Sequence, residues 1–87
     1  MKYENIDRVN TITKQIKKDE KELEILTSYM DGDLIRVNIS HNGATIQTIV
    51  VGDSEHKYTK NAIRFIEDCI QDCRDRITSS ILELEKL

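Results

Sequence analysis

The sequence predicts an α+β fold of helix, β-hairpin and helix (αββα), with two long antiparallel coiled-coil-like helices that assemble into an oligomeric helical bundle. Three observations predict it. Apolar residues recur at steps of three and four on both flanks of the chain. Alternating apolar and polar residues surround the pair Asn42-Gly43 at its centre. The triplet Asp31-Gly32-Asp33 separates the first flank from that centre.

The first helix is expected over about residues 3–30. Val9, Ile12, Ile16, Leu23, Leu26 and Met30 take the a and d positions of heptads, the narrow stripe of a helix packed lengthwise on another helix. A helix of that length would measure about 42 Å. Asp19 interrupts the stripe. A lone buried carboxylate is costly, so the preferred expectation is that the helices splay there and leave it wet. The alternative is a pair with Arg74 or Arg76 that sets the register. Gly32 then ends the helix by taking the left-handed conformation.

The hairpin is expected over about residues 34–51. Asn42-Gly43 suits a two-residue type I′ turn, because both positions need positive φ. That turn makes paired residue numbers sum to 85. Ile35, Val37 and Ile39 then share one face with Val50, Thr48 and Ile46, and Leu34 pairs with Val51. The other face carries Arg36, Asn38, Ser40, Thr45 and Gln47, with His41 at the rim. A bare two-stranded ribbon is marginal in water and leaves edges unpaired. It must fold over the second helix or join hairpins of other copies.

The second helix is expected over about residues 59–86. Ile63, Ile66, Ile70, Cys73, Ile77, Ser80, Leu84 and Leu87 step by three and four without a break. Ala62, Cys69 and Ile81 widen the stripe, and Phe65 and Leu82 sit farther round it. Thr59 is the expected N-cap, with Tyr58 stapled onto Ile63. This stripe is broader than one partner helix can cover.

The 87 residues bound a single domain, 1–87, whose core is aliphatic: there is no Trp and only three Tyr and one Phe. No apolar run is long enough to cross a membrane, and no signal peptide opens the chain. A cytoplasmic protein is expected, with two cysteines in reduced form. The net charge of −3 is spread evenly, which disfavours nucleic-acid binding. Lys14, Lys17, Lys18 and Lys21 are interleaved with Asp19, Glu20, Glu22 and Glu24, as on a solvated helix face.

No nucleophile with an adjacent base, phosphate loop or histidine pair supports catalysis, so neither an enzyme nor a cofactor is expected. Cys69 and Cys73, one turn apart, form at most half a zinc site and read as core. Asp31, Asp33, Asp53, Glu55 and His56 are expected to gather at the hairpin base, as turn and capping residues rather than as a cation site. The contact surface is expected on Arg36, Asn38, Ser40, His41, Thr45 and Gln47, which together offer a guanidinium, amides and hydroxyls. The functional expectation is a non-enzymatic, homo-oligomeric protein-interaction module that binds a protein partner. Its composition, rich in Ile, Lys, Asp and Asn without Pro, suggests a phage or mobile-element inhibitor or adaptor. The alternative is a sequestering protein that holds a small anionic ligand or nucleotide around Arg36 between subunits.

With a hairpin between two helices, the arrangement resembles in connectivity the β-type prefoldin subunits, in which a hairpin interrupts the two helices of a coiled coil. The resemblance implies a chaperone-like assembly and assigns no residue a role.

Overall fold

The computed structural model describes residues 5–52 and 55–87. Helix α1 spans Asn5–Thr27, strands β1 and β2 span Ile35–His41 and Ala44–Val51, and helix α2 spans Thr59–Glu85. The expected order of helix, hairpin and helix is therefore present.

α1 stops earlier than the heptad pattern suggests, because Ser28–Asp31 form a 3-10 turn. Thr27 Oγ1 donates to the Leu23 carbonyl at 2.9 Å, and Ser28 Oγ donates to the Ile25 carbonyl at 2.6 Å. Both hydroxyls bond back to carbonyls of the preceding helical turn. Gly32 ends the turn at φ +97, its N–H donating to the Tyr29 carbonyl while the Asp33 N–H reaches the Ser28 carbonyl. The expectation of a glycine stop holds, while the last turn is tighter and Met30 is exposed. Residues 3 and 4 lie outside the described residues.

The helices run antiparallel, as three contacts demonstrate. Tyr29 Oη donates to Glu67 Oε1, Cys73 Sγ–H donates to the Asp19 carbonyl, and Arg8 pairs with Glu83. Positions on α2 rise as those on α1 fall. Along this pair Ile12, Ile66, Ile70 and Cys73 are buried, whereas Val9, Ile16, Leu23, Leu26, Ile63, Ile77 and Leu84 are only half-buried.

Asn42 at φ 50 and Gly43 at φ 80 make the expected hairpin turn, but the register differs from the simple one. Ser40 pairs with Thr45 and His41 with Ala44, as expected. A one-residue bulge at Ile46 then shifts every later pair, so that Ile39 faces Gln47, Val37 faces Ile49 and Ile35 faces Val51. This reverses the parity of β2. Ile49 and Val51 turn inwards, while Thr48 and Val50 turn outwards. The physical reason is composition: the bulged register places two β-branched apolar residues inside at the base, where the simple register would place Thr48 beside Val50. Leu34 lies outside the strand and is exposed.

The ribbon folds over the first half of α2, the first of the two arrangements expected for its bare strands. Ile49, Val51, Ala62, Ile66 and Ile70 form one buried cluster, flanked by Leu23, Leu26, Tyr29, Ile35, Val37 and Ile63. Gly52, at φ +126, lets the chain leave β2 closely past β1. A Cβ there would stand 3.0 Å from the Asp33 carbonyl oxygen.

α2 begins without the expected Thr59 cap. Tyr58 occupies the cap position and makes no side-chain cap bond, while Thr59 is already helical. Its Oγ1 accepts the His56 N–H at 2.9 Å, and its own N–H donates to the His56 carbonyl at 3.0 Å. Thr59 thus fastens the preceding loop rather than the helix. No helix among the described residues is long and apolar enough to cross a membrane.

Candidate functional site

The outward face of the hairpin holds most of the expected contact surface. Alternation along β1 puts Arg36, Asn38 and Ser40 on one side, and pairing brings Thr45 and Thr48 beside them. Thr48 Oγ1 donates to Asn38 Oδ1 at 2.9 Å, which ties the two strands across this face. Arg36, Asn38, Ser40 and Thr45 are all exposed, and Arg36 has no ion pair among the described residues. His41 is exposed at the tip, where its Nε2 accepts from Asn42 Nδ2 at 3.2 Å.

Gln47 departs from this set. The bulge turns it to the inner face opposite Ile39, where its amide meets His56 Nε2 at 2.6 Å. His56 Nδ1 accepts the Tyr58 N–H at 3.1 Å, so in the neutral ring Nε2 carries the proton. The amide oxygen of Gln47 is then the group that accepts from it.

Among the described residues of the acidic gathering expected at the hairpin base, His56 stands apart from Asp31 and Asp33. His56 sits against Gln47, four strand residues from Val51 and so roughly 13 Å up the ribbon from its base. The reason is that α2 starts alongside the hairpin rather than at its foot. Asp31 and Asp33 are exposed beside Gly32, and Asp53 lies outside the described residues.

Asp19 corrects the preferred expectation of a wet carboxylate. The helices do not splay there: its side chain is 3% exposed. Oδ1 accepts from Gln15 Nε2 at 3.0 Å and faces Arg76 Nε at 3.6 Å, so the alternative pairing with Arg76 is the one formed. Oδ2 is buried without a hydrogen-bond partner. Arg76 also reaches Glu22 Oε2 at 3.2 Å and the Asp72 carboxylate. Partial burial works against its charge, but the carboxylates of Asp72, Glu22 and Asp19 outweigh that and push its pKa up.

Cys73 belongs to the same cluster. Its sulphur, an Asp19 oxygen and a Glu22 oxygen lie within 4.8 Å of one another, a donor set in which Arg76 is the resident cation. Burial pushes the Cys73 thiol up, and the Glu22 and Asp19 carboxylates add to this against the pull of Arg76. The thiol is therefore held as a donor to the Asp19 carbonyl rather than as a reactive thiolate. Cys69 is half-buried and unbridged.

One feature escaped the sequence pattern. Between the hairpin and the start of α2 lies an open groove of about 300 Å³, lined by Ile39, Ile49, Tyr58, Asn61 and Ala62. Tyr58 lines this groove with 45% of its surface exposed. The apolar periodicity of α2 flagged Ala62 and Phe65 as surplus to one partner helix, and that surplus was the only signal of the groove.

Comparison of the chain with family models, curated proteins and solved structures gives no match. The connectivity shared with prefoldin subunits thus brings no family assignment with it.

Proposed function

We propose that the chain is a small non-enzymatic protein-interaction module that works as a homo-oligomer, with the polar outer face of its hairpin left free to grip a protein partner. The observation that carries this reading is the surface a single copy leaves open. The chain exposes 6920 Å², whereas a folded monomer of its mass exposes about 5,300 Å². Its radius of gyration is 17.3 Å, against about 12 Å for a compact chain of this length. A body of 54 × 31 × 16 Å has little thickness for a core. Ile6, Ile25, Phe65, Ile81 and Leu82 accordingly remain exposed. Large exposed apolar area on a soluble chain marks an association surface.

Helices arranged around a shared bundle would cover the half-buried seam, and the module would then act as an adaptor or inhibitor through Arg36, Asn38, Ser40 and Thr45. The test is the dependence of unfolding on protein concentration. The urea midpoint of a homo-oligomer rises as the chain is concentrated. A midpoint that stays constant over a hundredfold range overturns the reading.

The alternative, capture of a small anion around Arg36, is favoured by the exposed guanidinium beside Asn38 and Ser40. Its support is weaker, because none of the three described cavities includes Arg36. Calorimetry with inorganic phosphate or a nucleotide tests it, and Arg36→Ala must abolish any heat attributed to that site.

A further inference from the structure

α1 and α2 meet across a polar cluster that interrupts their apolar seam. Asp19 and Glu22, three positions apart, share one face of α1, and Cys73 comes to them from α2. One donor atom of each lies within 4.8 Å of the other two; Asp19 and Cys73 are buried and Glu22 is exposed. The Cys73 thiol fixes this register by donating to the Asp19 carbonyl at 3.0 Å.

The charge on Asp19 is poorly met. Gln15 Nε2 donates to Oδ1 at 3.0 Å, whereas Arg76 Nε stands at 3.6 Å, too far for a hydrogen bond. Oδ2 has no partner, although the side chain is only 3% exposed. A buried carboxylate left this way is costly, and buried charges are normally paired or bound to a metal. Arg76 does not make up the deficit alone, because its guanidinium is shared with Glu22 and Asp72.

We propose that Asp19, Glu22 and Cys73 bind a zinc ion that staples α1 to α2. The site is independent of the homo-oligomeric reading above. Its ligands are the unpartnered Oδ2 of Asp19, a Glu22 carboxylate oxygen and the Cys73 sulphur, with water in the fourth position. The donor set selects the metal. Magnesium and calcium take oxygen alone, and copper(I) prefers sulphur throughout, whereas zinc accepts both. Zinc bonds of about 2.3 Å to sulphur and 2.1 Å to oxygen set those atoms about 3.6 Å apart in a tetrahedron. The three donors must therefore close by at most about 1.2 Å, a movement the exposed Glu22 side chain can supply. Gln15 already holds Oδ1, as a ligating carboxylate requires, and leaves Oδ2 for the ion. An open cavity of about 340 Å³, lined by Gln15, Asp19, Asp72 and Arg76 among others, provides the way in. On binding, the Cys73 S–H bond breaks, its proton passes to solvent and the sulphur bonds the metal. Arg76 yields Asp19 and Glu22 to the zinc and keeps Asp72, one turn away on its own helix.

The test titrates the full chain, stripped of metal by a chelator, with Co2+ and then with Zn2+ in competition. A cobalt–thiolate bond is read from its near-ultraviolet charge-transfer band. The expected result is one Co2+ per chain with that band, displaced by Zn2+. Cys69→Ser should keep the band. Glu22→Gln should weaken binding by about tenfold or more, and its fold should survive because the side chain is exposed. Arg76→Gln removes the competing cation and should tighten binding, although it destabilises the metal-free chain. Cobalt bound without a thiolate band is adventitious binding to surface carboxylates or histidines and overturns the site. So does a band lost in Cys69→Ser, or affinity unchanged in Glu22→Gln. The urea midpoint gives a second readout: zinc should raise it in wild type and much less in Glu22→Gln, and equal shifts in both contradict the proposal.

Discussion

Truncating Val51 and Val50 in turn tests which side of β2 faces the core. In the bulged register Val51 is fully buried at 0% exposure against α2, while Val50 pairs with Arg36 on the outer face. Val51→Ala removes two methyl groups, worth about 1.6 kcal/mol of transfer free energy. The space it leaves is enclosed by Ile66, Ile49 and their neighbours and adds a cavity cost, for a total of about 2.5 kcal/mol. Val50→Ala leaves no enclosed cavity and should cost under about 1 kcal/mol. In urea, with a slope of about 1 kcal/mol per molar for a chain of this size, the midpoints should fall by roughly 2.5 M and less than 1 M. Both variants must be compared with wild type at one protein concentration, because assembly contributes to the midpoint. Equal costs, or a larger cost for Val50, would refute the bulged register and restore the one in which paired numbers sum to 85.

Gly52→Ala should destabilise the chain by roughly 2–4 kcal/mol in the same assay, because the left-handed φ and the Asp33 carbonyl both exclude a Cβ. Arg76→Gln should lower the urea midpoint in the wild-type background, since it strands the buried Asp19 carboxylate, yet it should change little once Asp19→Leu has filled the seam; equal effects in both backgrounds would show that the pair is not coupled. Because burial raises the Cys73 thiol, the unfolded chain loses that proton at lower pH than the folded one. Stability should therefore fall as pH rises above about 8.5, and a Cys73→Val variant should fall less steeply. Maleimide labelling should accordingly reach Cys69 well before Cys73 at neutral pH.

The order of elements was legible because each rests on local chemistry. A three-and-four stripe can bury itself only as a helix, Gly32 can end one, and Asn42-Gly43 can close a tight turn. The register was not legible, because β2 carries apolar residues at both parities: Ile46 and Val50 on one, Ile49 and Val51 on the other. The turn signal fixes only the two pairs nearest it, and the bulge is decided by what α2 offers beneath the base. The fate of Asp19 depended on Arg76, a residue 57 positions away, whose reach no local pattern encodes. The outer-face residues of β1 were legible from alternation alone, whereas Gln47 beyond the bulge was not. The groove depends on the angle between hairpin and helix, so the sequence signalled only unexplained apolar surface on α2.

A single copy leaves much of its apolar surface open, so whether it stands alone in solution is decisive. Small-angle X-ray scattering over a dilution series reads mass and radius of gyration together and tests this most directly. The expected result is a mass above 10.1 kDa that holds down to low concentration, with particle thickness greater than the 16 Å of a single copy. A particle of 10.1 kDa with a radius of gyration near 17.3 Å at every concentration would contradict it.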